Sequence, residues 1–115
     1  MTSRSKTMKK SDWRNGGKAN NNTCIEIVNG YFAGLKIPVK RKKTIIGSDI
    51  NCSICLDHNL VSAEHALITR SGHACRIEDL NSKQGILVNG KEVHNAELKN
   101  RDRISIGNFE LVFYC

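Results

Sequence analysis

The chain of 115 residues carries 18 Lys and Arg against 11 Asp and Glu, a formal charge of +7, with five cysteines, one proline and aromatic residues at only 5%. A chain of this length builds one compact core and leaves no room for separate cofactor and substrate domains, which excludes two-domain enzymes. Its apolar runs, such as Ile45-Ile46 and Leu111-Val112-Phe113-Tyr114, fall far short of the roughly 20 residues of a membrane-spanning helix, so a soluble protein with no membrane partner is expected.

Residues 1–23 hold Arg4, Lys6, Lys9, Lys10, Arg14 and Lys18 against Asp12 alone, a net +5, while the remaining 92 residues carry 12 basic and 10 acidic groups. With Gly16-Gly17, three asparagines at 20–22 and few apolar residues, this segment is predicted to be a disordered basic tail preceding a folded domain over 24–115. Its dispersed charges, without aromatic interleaving, read as a solubilising extension, and no nucleic-acid partner is expected. Thr2 and Thr7 are candidate phosphorylation sites within it. The first residues lack the apolar segment of a secretory signal. Cys24, Cys52, Cys55, Cys75 and Cys115 form no even framework. Free thiols and a cytoplasmic location are therefore expected, with the nucleus as the other open compartment.

From Cys24 onward the apolar pattern has period two. Strand-like runs follow at 24–28, 35–39, 44–46, 53–56, 65–69, 75–80, 86–88, 91–93, 103–106 and 109–114, about ten strands at the spacing of an antiparallel sandwich. Asn29-Gly30, Ser71-Gly72, Asn89-Gly90 and Gly107-Asn108 supply the turns. At Asn89-Gly90 two runs flank a two-residue turn, the sharpest hairpin signal in the chain. Pro38 lacks an N–H, so its strand is expected either to lie at a sheet edge or to turn that amide position away from the ladder. The fold class is all-β.

Laid end to end, Ile46-Gly47, Cys52 to Leu56, Val61-Ser62-Ala63-Glu64-His65-Ala66-Leu67-Ile68, Glu78 to Gly90 and Leu98 to Gly107 come in an order that resembles a forkhead-associated (FHA) domain. The resemblance covers nearly all of 24–115 and implies a β-sandwich of about ten or eleven strands, with loops at one end that read phosphothreonine peptides. A phosphate dianion has acceptor oxygens and no proton to give, so its site must supply hydroxyl, amide and cationic donors. The resemblance places Ser62 as a hydroxyl donor to phosphate, Lys83 as a charged contact and Asn89 as an amide that holds the peptide main chain. It makes Gly47, His65, Gly85 and Gly90 supports of the loops.

Several positions depart from the family pattern. Ser48 stands where the family usually has arginine, Ala63 follows the recognition serine in place of Arg or Lys, and Gln84-Gly85-Ile86 replaces Asn-Gly-Thr; by position, the resemblance still implies Ser48 and Gln84 as phosphopeptide-binding residues. Arginine binds phosphate with a planar fork that serine cannot reproduce. Each charge-assisted hydrogen bond contributes about 1.5 to 3 kcal/mol, so losing one or two moves a micromolar binder toward tens of micromolar or millimolar affinity. Substitute cations are available in Lys40, Arg41, Lys42, Lys43 and Arg70.

Ser62, Glu64 and His65 lie close in sequence, but without an activated nucleophile or a base with its orienter they do not make a catalytic set. The resemblance instead has His65 brace the Ser62 loop. Cys52 and Cys55 have an odd spacing that separates them on a strand, and no second CxxC completes a zinc site, so they read as core or loop thiols. Asp79 and Asp102 read as loop organisers. No enzyme and no cofactor are expected. Two readings stay open: a module that binds a phosphothreonine-containing protein or peptide in signalling, and a phosphate-independent assembly module of the same fold, self-associating as a homodimer.

Overall fold

The structure, a computed structural model, describes residues 23–115. The expectations for the basic tail and for Thr2 and Thr7 lie outside the described residues. Thr23 is buried, and its carbonyl accepts the Val39 N–H at 3.0 Å.

Eleven strands form two sheets. They are β1 (Cys24–Ile27), β2 (Lys36–Pro38), β3 (Lys43–Gly47), β4 (Ile54–Cys55), β5 (Ala66–Ser71), β6 (Ala74–Asp79), β7 (Ile86–Val88), β8 (Lys91–Val93), β9 (Asn95–Leu98), β10 (Arg103–Ile106) and β11 (Phe109–Tyr114). One sheet has the order β2-β1-β11-β10-β7-β8 and the other β4-β3-β5-β6-β9. Every pairing is antiparallel except β3 with β4, where Ile46 lies beside Ile54 and Gly47 beside Cys55 in parallel. Among the described residues no helix is long and apolar enough to cross a membrane.

The period-two runs are the inner faces of these strands. Ile46, Ile68 and Ile77 from one sheet meet Ile25, Ile86, Ile104, Ile106, Leu111 and Phe113 from the other, all fully buried; a fully buried side chain of this size contributes about 1.5–3 kcal/mol. Pro38 sits on edge strand β2, where its missing N–H costs no ladder bond. Asn89 and Gly90, at φ 54° and 83°, close the β7–β8 hairpin between Val88 and Lys91 as the sequence predicts.

Strand β9 is absent from the sequence reading. Asn95-Ala96-Glu97-Leu98 has no β-branched or aromatic residue, and as an edge strand it buries only Leu98 fully. Backbone pairing to β6, with Leu98 opposite Cys75, holds it there rather than side-chain preference.

The strand directions give the sandwich two ends. Gly47, Asp79, Ile86 and Ile106 lie toward one, and Lys43, Ala74, Leu98 and Arg103 toward the other: the registers fix the ends within each sheet, and the contact of His65 with Gly85 joins the Gly47 end to the Ile86 end.

Candidate functional site

Three loops meet at the Gly47 end: 48–53 after β3, 56–65 before β5, and 80–85 between β6 and β7. Gly47 permits their contact. A Cβ there would lie 2.1 Å from the Ala63 carbonyl oxygen and 2.9 Å from Cys52 Sγ. With no side chain in the way, Ser48 N–H donates to the Ser62 carbonyl at 3.0 Å and Asp49 N–H to that of Ala63 at 3.2 Å.

His65 is the hub, with no exposed surface. Its N–H donates to the Ile46 carbonyl at 2.8 Å, and its own carbonyl accepts Leu80 N–H at 2.9 Å. Ring Nδ1 accepts the Ser62 backbone N–H at 3.1 Å, so Nε2 carries the proton that goes to the Gly85 carbonyl at 2.8 Å. His65 thus ties β3 and Leu80, through its backbone, to Ser62 and Gly85, through its ring. Because Nδ1 takes the Ser62 amide rather than its hydroxyl, His65 does not form a base–nucleophile pair with Ser62.

Ser62 sits half-buried between the other two loops. Its hydroxyl oxygen accepts the Lys83 backbone N–H at 3.1 Å, the hydroxyl's one hydrogen bond among the described residues. The hydroxyl proton has no acceptor among the described residues. Half-buried Ser48 and exposed Lys83 and Gln84 flank it, and their side chains bond to no other described residue. The 80–85 loop is held by its own network: the Ser82 hydroxyl donates to Asp79 Oδ1 at 2.5 Å and accepts Gly85 N–H at 2.8 Å. Gly85, at φ 76°, takes a conformation that strains any residue with a Cβ.

Two cysteines belong to this frame, which their sequence spacing did not reveal. The Cys52 thiol donates to the Ala63 carbonyl at 3.1 Å and the Cys55 thiol points to that of Ser48 at 3.6 Å. Burial pushes both thiols above their ordinary 9.0, helped by the charges of Asp49 and Glu64 on Cys52 and of Asp57 and Asp49 on Cys55. They stay protonated and serve as weak donors rather than as nucleophiles. Lys83 is the one lysine or arginine in the three loops, which also carry Asp49, Asp57 and Glu64.

The structure brings together Gly47, Ser48, Ser62, His65, Lys83, Gln84 and Gly85. Asn89 and Gly90 do not join them. They lie at the far end of β7 from Gly85, four residues along the strand or about 13 Å from it to Asn89. Asn89 Nδ2 donates to Asp102 Oδ1 at 2.9 Å and Asn89 Oδ1 accepts Arg103 N–H at 2.9 Å, so its amide fastens the β7–β8 turn to the start of β10. Lys40 to Lys43 also lie at the opposite end, where Arg70 donates to the Val39 carbonyl at 2.6 Å. The substitution of these cations for the family's arginine is therefore corrected: strand β3 separates them from the Ser62 loops.

A family model described as FHA domain matches residues 44–107, which contain every residue of the site. The chain is 31% identical over 97 residues to an oxoglutarate dehydrogenase inhibitor of Corynebacterium jeikeium, covering 84% of this chain and 67% of that one. It is also 31% identical over 97 residues to the glycogen accumulation regulator GarA of Mycolicibacterium smegmatis, covering 84% of this chain and 61% of that protein. The second relative is thus appreciably longer than the segment matched. A solved domain, studied for phosphothreonine-dependent FHA domain interactions, superimposes with a TM-score of 0.76 at 26% identity, covering 81% of this chain and 95% of that one. With a family match over more than half of its length and a relative 31% identical over 84% of it, the chain belongs to the FHA domain family.

Proposed function

We propose that this chain is a non-catalytic interaction module whose Gly47 end binds a phosphothreonine-containing segment of a signalling protein. The observation that carries this reading is the Ser62 hydroxyl: it accepts Lys83 N–H and keeps its own proton for a ligand. Ser62 and Ser48 donate hydroxyl protons, Lys83 supplies the charge, and Gln84 offers an amide to the peptide main chain in place of the family's shorter asparagine. The solved relative whose interactions depend on phosphothreonine supports the same ligand class here. With Ser48 where the family has arginine, the affinity sits in the weak range for such modules.

A second reading is favoured by one observation. Asp49, Asp57 and Glu64 share these loops with a single lysine, a balance that suits phosphate-independent association better than dianion capture. Titrating the isotope-labelled chain with one peptide in phosphorylated and unphosphorylated forms separates the two. The first reading expects amide shifts at Ser48, Ser62, Lys83 and Gln84 with the phosphorylated form only, lost in Ser62→Ala. Equal shifts with both forms favour the second.

A further inference from the structure

The charge of the folded body is nearly balanced in sequence, but the fold segregates it. Lys40, Arg41, Lys42 and Lys43 run consecutively through the β2–β3 connection into β3, all exposed. Arg70 holds this run in place: its backbone N–H donates to the Lys42 carbonyl at 2.8 Å, its Nη1 to the Val39 carbonyl at 2.6 Å and its Nε to the Gly72 carbonyl at 3.0 Å. Arg70 pairs with Cys75, and Cys75 with Leu98. That register brings Lys99 and Arg101 to the same end. Asp102 is the one carboxylate in the segments 39–43, 70–74 and 98–103, and it is occupied, accepting Asn89 Nδ2 on one oxygen and Lys99 N–H at 2.7 Å on the other.

Arg101 adds an independent sign. It is held at φ 72°, a left-handed conformation that glycine or asparagine adopts with less strain. A long cationic side chain is kept where local backbone preference argues against it.

We propose that this basic end, opposite the Ser62 loops, is a second docking surface, and that its ligand is a short acidic segment of a protein partner. Arginine and lysine together offer forked and point-charge donors to carboxylates, and the pinned loop presents them without first having to be ordered. A nucleic acid fits less well. Its phosphate line, a charge every ~1.7 Å of duplex axis, runs on past the basic end along sides that carry Glu26, Glu78 and Glu97. The exposed aromatic pair that would stack on bases, Tyr31 and Phe32, lies in the β1–β2 connection at the other end. The acidic loops there also repel an acidic segment, so it docks at one end only.

The test uses the full chain and a fluorescein-labelled octaglutamate peptide, followed by anisotropy. Reversing Lys40, Arg41 and Lys42 to Glu weakens binding at least tenfold. Reversing Lys6, Lys9 and Lys10, the same change in net charge, weakens it less than threefold. Equal losses in the two variants overturn the proposal, as does no binding by the natural chain, or tighter binding of a 20-base-pair duplex DNA at the same salt. A measurement that needs no variant checks the location: octaglutamate shifts the amides of 40–43, 70–73 and 99–103. Shifts confined to 48–65 and 80–85 overturn it.

Discussion

The Lys83 backbone N–H donates to the Ser62 hydroxyl oxygen at 3.1 Å, so a single side chain ties two loops together, and its own proton has no acceptor among the described residues; under the proposed function that proton goes to the ligand. Ser62→Ala removes both functions. Phosphopeptide binding is expected to weaken by about 1.5–3 kcal/mol, the contribution of one charge-assisted hydrogen bond, while folding stability drops by only about 1 kcal/mol because Lys83 N–H is near solvent. Calorimetric titration and urea unfolding of the same variant separate the two effects.

Ser48→Arg is the complementary gain. Its N–H already bonds the Ser62 carbonyl, so the backbone that would carry the guanidinium is in place. A new forked contact to phosphate contributes about 1.5–3 kcal/mol, roughly a ten- to hundredfold tightening. The unphosphorylated peptide gains nothing. An equal gain for both peptides would mean that position 48 does not face the phosphate.

Asn89→Ala is expected to leave phosphopeptide affinity unchanged and to lower stability by about 1–3 kcal/mol. It strips Asp102 and the Arg103 N–H of their partner and replaces a residue suited to φ 54°. A selective loss of affinity without loss of stability would return Asn89 to the binding site.

His65→Leu keeps the bulk but leaves the Ser62 N–H and the Gly85 carbonyl without partners inside the protein. Each buried orphan costs about 1–3 kcal/mol, so the urea midpoint falls sharply. Gly47→Ala acts on the same frame by overlap: the new Cβ, 2.1 Å from a backbone oxygen, forces the Ala63 turn away at a cost of about 3 kcal/mol or more.

Alkaline pH provides a separate check. Burial raises the Cys24, Cys52, Cys55 and Cys75 thiols above 9.0. A group whose folded value is raised contributes stability that is complete below its unfolded value and lost as pH climbs toward the folded one. Unfolding midpoints are therefore expected to hold up to about pH 8 and to decline above pH 9. Cys24→Ala with Cys75→Ala flattens that decline; an unchanged slope would assign it to other groups.

The sandwich was legible because its strands alternate apolar and polar residues and its turns use glycine and asparagine. Edge strand β9 was not, since its place depends on backbone pairing to β6 and its residues carry no alternation. The Ser62, His65 and Gly85 cluster was legible through the family order. Asn89 was misplaced because the same Asn-Gly pair serves a hairpin turn and a ligand amide equally well in sequence, and only the direction of β7 separates it from Gly85. Charge summed along residues 24–115 nearly cancels. The basic end emerges only when register brings 40–43, 70 and 99–101 together.

The most direct measurement is isothermal titration of the full chain with one peptide in three forms, carrying threonine, phosphothreonine or phosphoserine at the same position. Binding of the phosphothreonine form at least tenfold tighter than of the bare threonine form, with that preference abolished in Ser62→Ala, is the predicted result. Identical isotherms for the three, unaffected by Ser62→Ala, would contradict the account.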